Sequence, residues 1–169
     1  MKNRKDFWDK YFPFIITAAY LILGIILITR HEYWFDEIHA WVKASRSTSI
    51  QELISWVRNY EGAPFTWHFI LYFISHFISN NLESMKVVHL GLSTISAFLI
   101  LKYFPFNKIY RTLIVFGYYF FYQYSIISRN YALGVLFIII FCVLYRNKFE
   151  NPIPLGVTLF LICQTNYYA

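Results

Sequence analysis

The stretch PFIITAAYLILGIILITRHEYWFDEIHAW, residues 13–41, joins a long apolar run directly to a polar segment with two adjacent acids. Its first part, residues 13–29, contains no charged side chain and has nearly the ~20 residues that a helix needs to cross a bilayer. Several basic residues precede the run within residues 2–10, but no small-x-small cleavage site follows it. We therefore expect an uncleaved anchor helix whose N-terminus lies in the cytoplasm.

The composition places the chain among membrane proteins. It is 58% hydrophobic and 14% charged, which is too apolar for a soluble domain of 169 residues. The formal net charge of +6 comes from basic residues scattered in small groups, so it indicates membrane topology and no nucleic-acid partner. Cys142 and Cys163 lie inside apolar runs without CxxC spacing, and we predict that both are packing residues of the interior. The sequence has no phosphate-binding loop, dinucleotide fingerprint or nucleophile elbow, so nothing supports nucleotide-driven transport, redox chemistry or serine hydrolysis.

Six apolar stretches divide the chain. They lie near residues 13–29, 63–79, 86–104, 109–127, 131–145 and 153–163. Lys102, Lys108 and Arg111 form an all-basic turn, and short basic turns stay in the cytoplasm. If every stretch crossed the membrane, this turn would lie outside. We therefore predict that residues 63–79 form a juxtamembrane apolar helix that lies along or dips into the outer leaflet, because this stretch is short and amphipathic.

These patterns predict an all-α fold, namely a polytopic transmembrane helix bundle formed by a single membrane domain over residues 1–169. We expect it in a bacterial plasma membrane. Residues 30–62 are predicted to form an extracytoplasmic loop with two short interfacial helices. The second of these helices begins at the capping-box sequence SIQE, residues 49–52, and carries one apolar stripe at helical spacing. The stripe consists of Ile50, Leu53, Ile54, Val57 and Tyr60.

Asp36 and Glu37, at the start of the first interfacial helix, have two interpretations. In the first, Asp36 caps the helix, where the helix dipole favours a carboxylate by roughly 0.3–1 kcal/mol, and Glu37 is a solvated neighbour. In the second, the pair takes part in chemistry at the membrane surface. Two carboxylates offer hard oxygen ligands, so Asp36 and Glu37 are also candidate ligands for Mg²⁺ or Mn²⁺.

Four motifs follow one another along the chain. They are WFDEIHAW at residues 34–41, GAPFTWHFILY at 62–72, SRNYAL at 128–133 and TNY at 165–167. In this order they resemble the N-terminal part of the GT-C class of membrane glycosyltransferases, in particular the bacterial relatives of protein mannosyltransferases and aminoarabinose transferases. The second motif departs from the family pattern by placing His68 four residues after its proline, and the fourth has Asn166 where the family often has histidine. The resemblance covers only the front half of a typical member, so we expect further hydrophobic segments beyond residue 169.

The resemblance implies a reaction in which a sugar moves from a polyprenyl-phosphate donor to an acceptor hydroxyl or amine on the extracytoplasmic side. It implies that Asp36 is the general base for the acceptor, and that the lipid phosphate leaves with inversion at the sugar. Arg129 and Lys86 are the cations expected beside this phosphate, since a guanidinium donates two hydrogen bonds from one planar fork. The candidate catalytic residues are Asp36, Glu37 and Arg129. The candidate substrate-binding residues are His39, His68, Lys86, Tyr131 and Tyr167.

Simpler interpretations stay open for several of these side chains. Arg129 and Lys86 can each end a membrane span by snorkelling, and a histidine at an interface is more often a satisfied polar residue. For the whole protein, the alternative is a non-catalytic membrane subunit that binds polyprenyl lipids or scaffolds a partner. A small transporter would need a buried charge pair inside its spans, where the sequence has isolated histidines such as His89, which we predict is paired within the bundle.

Overall fold

The computed structural model describes residues 2–60, 64–147, 150 and 152–165. The helices are α1 (Lys2–Ile28), α2 (Phe35–Arg46), α3 (Ile50–Tyr60), α4 (Thr66–Phe77), α5 (Glu83–Tyr103), α6 (Lys108–Phe116), α7 (Tyr131–Leu144) and α8 (Pro152–Cys163). A π-helical turn, Tyr118–Gln123, follows α6, and a 3-10 turn, Tyr145–Asn147, follows α7. No strand occurs among the described residues, so the all-α prediction is confirmed.

The long helices form a bundle around one apolar core. α1 packs on α5, α5 on α7 and α7 on α8, while α6 contacts both α5 and α1. Gly24 allows α1 and α5 to approach closely, because a Cβ there would lie 2.6 Å from Leu90 Cδ1. Across the same interface the Tyr20 hydroxyl lies 2.5 Å from Ser93 Oγ and donates to the carbonyl oxygen of Phe120 at 2.9 Å. The buried residues of this core are Tyr20, Ala97, Ile100, Leu101, Val115 and Ile139.

Two of the described helices are long and apolar enough to cross a bilayer, judged by length and composition: α5 and the Phe7–Ile28 part of α1. α7 and α8 are apolar but shorter, at 14 and 12 residues. The apolar stretch near residues 109–127 does not form one continuous helix, because Gly117 takes an extended conformation (φ −65°, ψ 155°) and ends α6. Cys142 and Cys163 are exposed, so the prediction that they pack in the interior is wrong. They lie on faces of α7 and α8 that the other described helices do not cover.

The short helices α2, α3 and α4 form a second layer with its own apolar core. α2 and α3 both pack on α4, and Trp41 of α2 is buried between them. The start of α3 follows the capping-box prediction, since Ser49 Oγ accepts a hydrogen bond from the Glu52 N–H at 3.2 Å. The Glu52 carboxylate reaches back one residue further than expected and accepts hydrogen bonds from the Thr48 hydroxyl and N–H, both at 2.7 Å. These bonds hold the pKa of the Glu52 carboxyl below its usual value.

The apolar stripe of α3 is shared between this core and the surface. Leu53 and Val57 are buried, whereas Ile50 and Ile54 are 40% and 44% exposed. The side chain of Tyr60, the last member of the predicted stripe, lies outside the described part of the chain. The neighbouring helices therefore cover only part of the stripe. Ile50 and Ile54 stay exposed for contact with another apolar surface.

The loops gather at two ends of the bundle. At the carboxylate end, residues 28–37 meet residues 83–89 and 125–131, as shown by hydrogen bonds from Lys86 Nζ to the His31 carbonyl (3.1 Å) and from the Ser128 N–H to Glu37 (2.5 Å). At the basic end, residues 9–14 meet residues 102–111, where Lys108 forms an ion pair with Asp9. The predicted all-basic turn therefore lies at the opposite end of the bundle from the acid pair.

Helix α4 stays at the carboxylate end. At its start, Thr66 Oγ1 donates to the carbonyl oxygen of Gln164 at 2.7 Å, and the chain that leaves it leads directly into the start of α5, which lies at the same end. Its 12 residues rise about 18 Å, well short of the ~30 Å hydrocarbon core of a bilayer. This geometry is consistent with a juxtamembrane helix that does not cross, which stays a prediction.

Candidate functional site

Glu37 is the most enclosed acid of the carboxylate end, with no exposed surface. Its Oε2 accepts a hydrogen bond from the Trp34 N–H at 2.8 Å and lies 2.8 Å from His31 Nε2. Its Oε1 accepts a hydrogen bond from the Ser128 N–H at 2.5 Å. The interpretation of Glu37 as a solvated neighbour is therefore wrong, because the segment before α7 folds over the start of α2 and covers this carboxylate.

Both oxygens of Glu37 accept hydrogen bonds from backbone N–H groups, one nearby in the sequence and one distant. One donor comes from the loop before α2, and the other comes from the 125–130 turn, which leads into α7. A buried carboxyl group needs such donors to replace the hydrogen bonds that water would provide. Glu37 thus ties α2 to the 125–130 turn, and its buried position favours a positioning role, while its assignment as a catalytic residue stays a prediction.

Asp36 lies beside Glu37 but faces the surface, and it pairs with Arg129. The Asp36 Oδ2 and Arg129 Nη1 atoms are 3.1 Å apart, with 54% and 32% of the two side chains exposed. Asp36 does not cap α2, since the N-cap position is Trp34 and the carboxylate that binds its N–H belongs to Glu37. The structure therefore brings together the acid and the arginine that the sequence singled out separately, and it leaves both accessible.

The 125–130 turn, which carries Arg129, is fixed from several sides. His89 of α5 is fully buried, and its Nδ1 donates to the carbonyl oxygen of Ser125 at 3.2 Å, which confirms the prediction that this histidine is paired within the bundle. Asn130 Nδ2 donates to the carbonyl oxygen of Thr165 at 2.9 Å. Together with the Glu37 bond to the backbone of the turn, these contacts hold the guanidinium of Arg129 over the surface of α2.

Tyr131, the next member of the SRNYAL motif, supports the same arginine. The Arg129 guanidinium carbon lies 5.3 Å from the centre of the Tyr131 ring, within the range of a cation–π contact. Tyr131 is the first residue of α7 and is partly exposed. The ring and the Asp36 carboxylate thus hold Arg129 from two sides and leave part of its donor fork open to solvent.

Lys86 is held inside the protein and does not face the Asp36 surface. Only 6% of it is exposed, and its Nζ donates to the His31 carbonyl at 3.1 Å and lies 4.0 Å from the centre of the Tyr33 ring. Its carboxylate partner is Glu83 at 3.4 Å. Burial and the nearby carboxylates of Glu83 and Glu37 raise the pKa of the Tyr33 phenol, so the ring stays neutral under the ammonium group. These contacts assign Lys86 to the support of the 28–37 segment.

The other predicted substrate-binding residues are placed apart from one another. His39 lies on the exposed face of α2 and stacks on Phe35, with ring centres 5.4 Å apart. His68 is buried in α4, with only 5% of it exposed. Tyr167 lies outside the described residues. His39 lies three residues after Asp36 and is therefore its neighbour on the exposed side of α2.

The positions of Asp36 and Glu37 do not fit the divalent-cation site predicted for this acid pair. Asp36 is paired with Arg129, and Glu37 uses both oxygens for hydrogen bonds from other groups. Within the described ranges, no group of three or more histidine, cysteine, aspartate or glutamate side chains is arranged to hold a metal ion. The carboxylates of Asp36 and Glu37 thus offer no shared ligand set for Mg²⁺ or Mn²⁺.

The sequence patterns missed the role of His31. It lies between the first apolar run and α2, and its ring contacts Glu37 while its carbonyl accepts the ammonium group of Lys86. Lys86 reaches His31 only through the tertiary fold, and no regular spacing predicts the contact with Glu37 six residues further on. The segment HEYWFDE is therefore a folded unit fixed by α5 and by the 125–130 turn.

No protein-family model matches the chain, and no curated protein or solved structure matches it. The chemistry of the carboxylate end therefore rests on the contacts of its own residues. Of these, the ion pair of Asp36 with Arg129 is accessible, whereas Glu37, His89 and Lys86 are buried and hold the segments beside it.

Proposed function

We propose that the protein is a glycosyltransferase that moves a sugar from a polyprenyl-phosphate donor to an acceptor on the extracytoplasmic side of the membrane. The observation that carries this proposal is the exposed ion pair of Asp36 with Arg129, formed between α2 and the turn before α7. A carboxylate and a guanidinium lie side by side above buried, hydrogen-bonded residues, an arrangement that supports the roles of base and phosphate-binding cation. The resemblance of WFDEIHAW and SRNYAL to motifs of the GT-C class supports the same assignment.

The two side chains have complementary roles in this reaction. Asp36 accepts the proton of the acceptor hydroxyl or amine while the acceptor oxygen or nitrogen forms a bond to the anomeric carbon of the sugar. The bond from that carbon to the phosphate oxygen breaks, and the polyprenyl phosphate leaves with the electron pair. Arg129 neutralises the charge that grows on this phosphate, which is most effective at a membrane boundary where the local dielectric is low. The contact with Asp36 holds Arg129 in place until the phosphate of the donor binds the guanidinium. This exchange releases the Asp36 carboxylate.

Replacing Arg129 tests the phosphate role. We expect Arg129→Gln to lower kcat/KM roughly 10²- to 10³-fold, the usual loss when one positioned charge-stabilising donor is removed. Arg129→Lys keeps the charge but loses the planar fork, so a smaller loss of roughly tenfold is expected. The measurement is the initial rate of labelled-sugar transfer by the full-length protein in proteoliposomes.

Arg58→Gln is the matched control for this series, because Arg58 is exposed on α3 of the same layer and lies outside the site. Its rate should equal that of the unmodified protein. Equal rates for Arg129→Gln and the unmodified protein would show that Arg129 only ends a helix, as in the snorkelling interpretation.

The membrane arrangement that we propose is a polytopic bundle with the basic end in the cytoplasm. Support comes from two helices of spanning length, from the position of the all-basic turn opposite the acid pair, and from the apolar surface of α1. Phe14, Ile22 and Ile25 of α1 are 56%, 58% and 48% exposed, which suits contact with lipid and not with water. The N-terminus then lies in the cytoplasm, and α2, α3 and α4 lie on the outer surface of a bacterial plasma membrane.

Single cysteines at Asn80, Asn107 and Asn130 test this arrangement. In a Cys142→Ser/Cys163→Ser background, we expect a membrane-impermeant maleimide to label positions 80 and 130 in intact cells and position 107 only after permeabilisation. The reason is that residues 80 and 130 belong to the carboxylate end, whereas Asn107 precedes α6 at the basic end. Labelling at 107 but not at 80 or 130 would contradict this arrangement, because both a reversed orientation and an α4 that crosses the membrane give that pattern.

A further inference from the structure

Positive charge is concentrated at the basic end of the bundle. Lys10 of α1, Lys102 of α5, and Lys108 and Arg111 of α6 line one cavity of about 330 Å³, together with other residues of the 9–14 segment. The acid on its wall is Asp9, which is paired with Lys108. The cavity therefore has a positive excess and an anionic ligand would be attracted to it.

A second cavity lies on the other side of the same cations. It has a volume of about 620 Å³ and shares Lys102 and Arg111 with the first. Its remaining wall comes from the turn between α5 and α6 and from the end of α7, including Tyr103, Phe106 and Arg146. Both volumes lie in the range of cavities that hold small ligands. Lys102 and Arg111 thus line both cavities, which we together call the basic groove.

Aromatic rings hold these cations in place without neutralising them. Lys108 Nζ and the Arg111 guanidinium carbon lie 5.3 Å and 5.6 Å from the centre of the Phe12 ring, and Lys102 Nζ lies 4.9 Å from the centre of the Tyr103 ring. Arg111 Nη1 donates to the carbonyl oxygen of Leu101 at 2.5 Å. Among the described residues, no carboxylate pairs with Lys102 or Arg111, and the buried Nε of Arg111 has no hydrogen-bond partner. The nitrogen donors of Lys102 and Arg111 are therefore held in place, and some of them make no hydrogen bond within the described part of the chain.

We propose that this basic groove binds the phosphate of an anionic membrane lipid. The phosphate lies between Lys102 and Arg111, where a charged oxygen can accept hydrogen bonds from both. The lipid chains lie along the apolar surface beside the groove, where Phe14, Ile109 and Leu113 are 56%, 70% and 62% exposed. Basic pockets between helices at the cytoplasmic membrane surface bind such headgroups. The bound lipid links α1 to α5 and α6 and stabilises the bundle by mass action.

This inference rests on the proposed membrane placement but not on the transferase reaction, since the groove lies at the opposite end from Asp36 and Arg129. A binding experiment without any sugar donor therefore tests it separately. We would titrate the purified full-length protein in detergent with phosphatidylglycerol or phosphatidylcholine and count bound lipids by native mass spectrometry. A further titration would add glycerol phosphate or inorganic phosphate as a soluble competitor.

The unmodified protein should bind phosphatidylglycerol about tenfold or more tightly than phosphatidylcholine. Lys102→Gln/Arg111→Gln should lose this preference, because each basic residue near a membrane surface contributes roughly a fivefold gain in affinity for an anionic lipid. The control is Arg30→Gln/Arg46→Gln, which removes the same charge from two exposed residues outside the groove and should keep the preference. Because the Arg111 change could disturb the end of α5, Lys102→Gln alone provides a second test, with a loss of about fivefold.

Equal affinity of the unmodified protein for the two lipids would overturn the proposal. So would equal losses in the groove variant and in its control, because the preference would then follow net charge. Displacement of the lipid by equimolar glycerol phosphate or inorganic phosphate would show that the groove takes a free phosphate and not a lipid headgroup.

Discussion

Asp36→Asn is expected to reduce sugar transfer roughly 10²- to 10⁴-fold, the usual contribution of a positioned general base. The amide keeps the size of the carboxylate and one oxygen that can accept from Arg129, but it cannot take the proton of the acceptor. The fold should not change, because Asp36 is 54% exposed and does not cap α2. The measurement is the rate of labelled-sugar transfer from a polyprenyl-phosphate donor in proteoliposomes, normalised to the amount of folded protein.

Glu32→Gln is the matched control, since Glu32 is an exposed acid of the same segment outside the ion pair. It should leave the rate unchanged. If Asp36→Asn transfers sugar at the rate of the unmodified protein with normal expression, the catalytic proposal fails. A non-catalytic subunit that binds polyprenyl lipids or scaffolds a partner tolerates this substitution and would then be the better interpretation.

Glu37→Gln is expected to destabilise the protein by about 3 kcal/mol, since each buried donor left without its acceptor costs about 1–3 kcal/mol. Each oxygen of Glu37 faces a backbone N–H, one from Trp34 and one from Ser128. The amide group of glutamine therefore points its NH₂ at a donor in either orientation. We expect the melting temperature in detergent, followed by tryptophan fluorescence, to fall by roughly 10 °C.

The two acid substitutions also distinguish a catalytic role for Asp36 from a structural role for Glu37. Asp36→Asn should lose activity at an unchanged melting temperature, whereas Glu37→Gln should lose both, because the turn that carries Arg129 depends on the Glu37 carboxylate. Glu32→Gln again serves as the control for stability. A melting temperature for Glu37→Gln within a degree or two of the control would contradict the assignment of Glu37 as the anchor of the 125–130 turn.

Local sequence signals predicted several elements of the fold well. The acidic start of α2 and the SIQE start of α3 lie where the patterns placed them, and α4 is a short apolar helix at its predicted place. These features depend on residues within one or two helical turns, whose hydrogen bonds and side-chain spacing are visible in the sequence. Gly117 was missed as a break, because a single glycine in an apolar run gives no local sign that the backbone will extend there.

The acid pair shows where local reasoning fails. Sequence spacing treats Asp36 and Glu37 as equivalent neighbours, yet one is half exposed beside Arg129 and the other is fully buried against Ser128. Adjacent residues on a helix point about 100° apart, so only the position of the covering turn decides which of them is enclosed. The contact between His31 and Lys86 also joins distant segments, which explains why it was not predicted and why Lys86 is buried.

By itself, the sequence determined that the chain is helical and that its basic turn and its acid pair belong to opposite ends, but it predicted more crossing stretches than the two described helices of spanning length. Those properties follow from composition, length and charge order, which act over short distances along the chain. Only the tertiary structure decided that Asp36 meets Arg129, that Glu37 supports them, and that Lys102 and Arg111 share a groove. The contacts of Asp36 with Arg129 and of Glu37 with Ser128 join segments far apart in sequence. The groove takes its walls from several helices, so packing of the whole bundle decides both features.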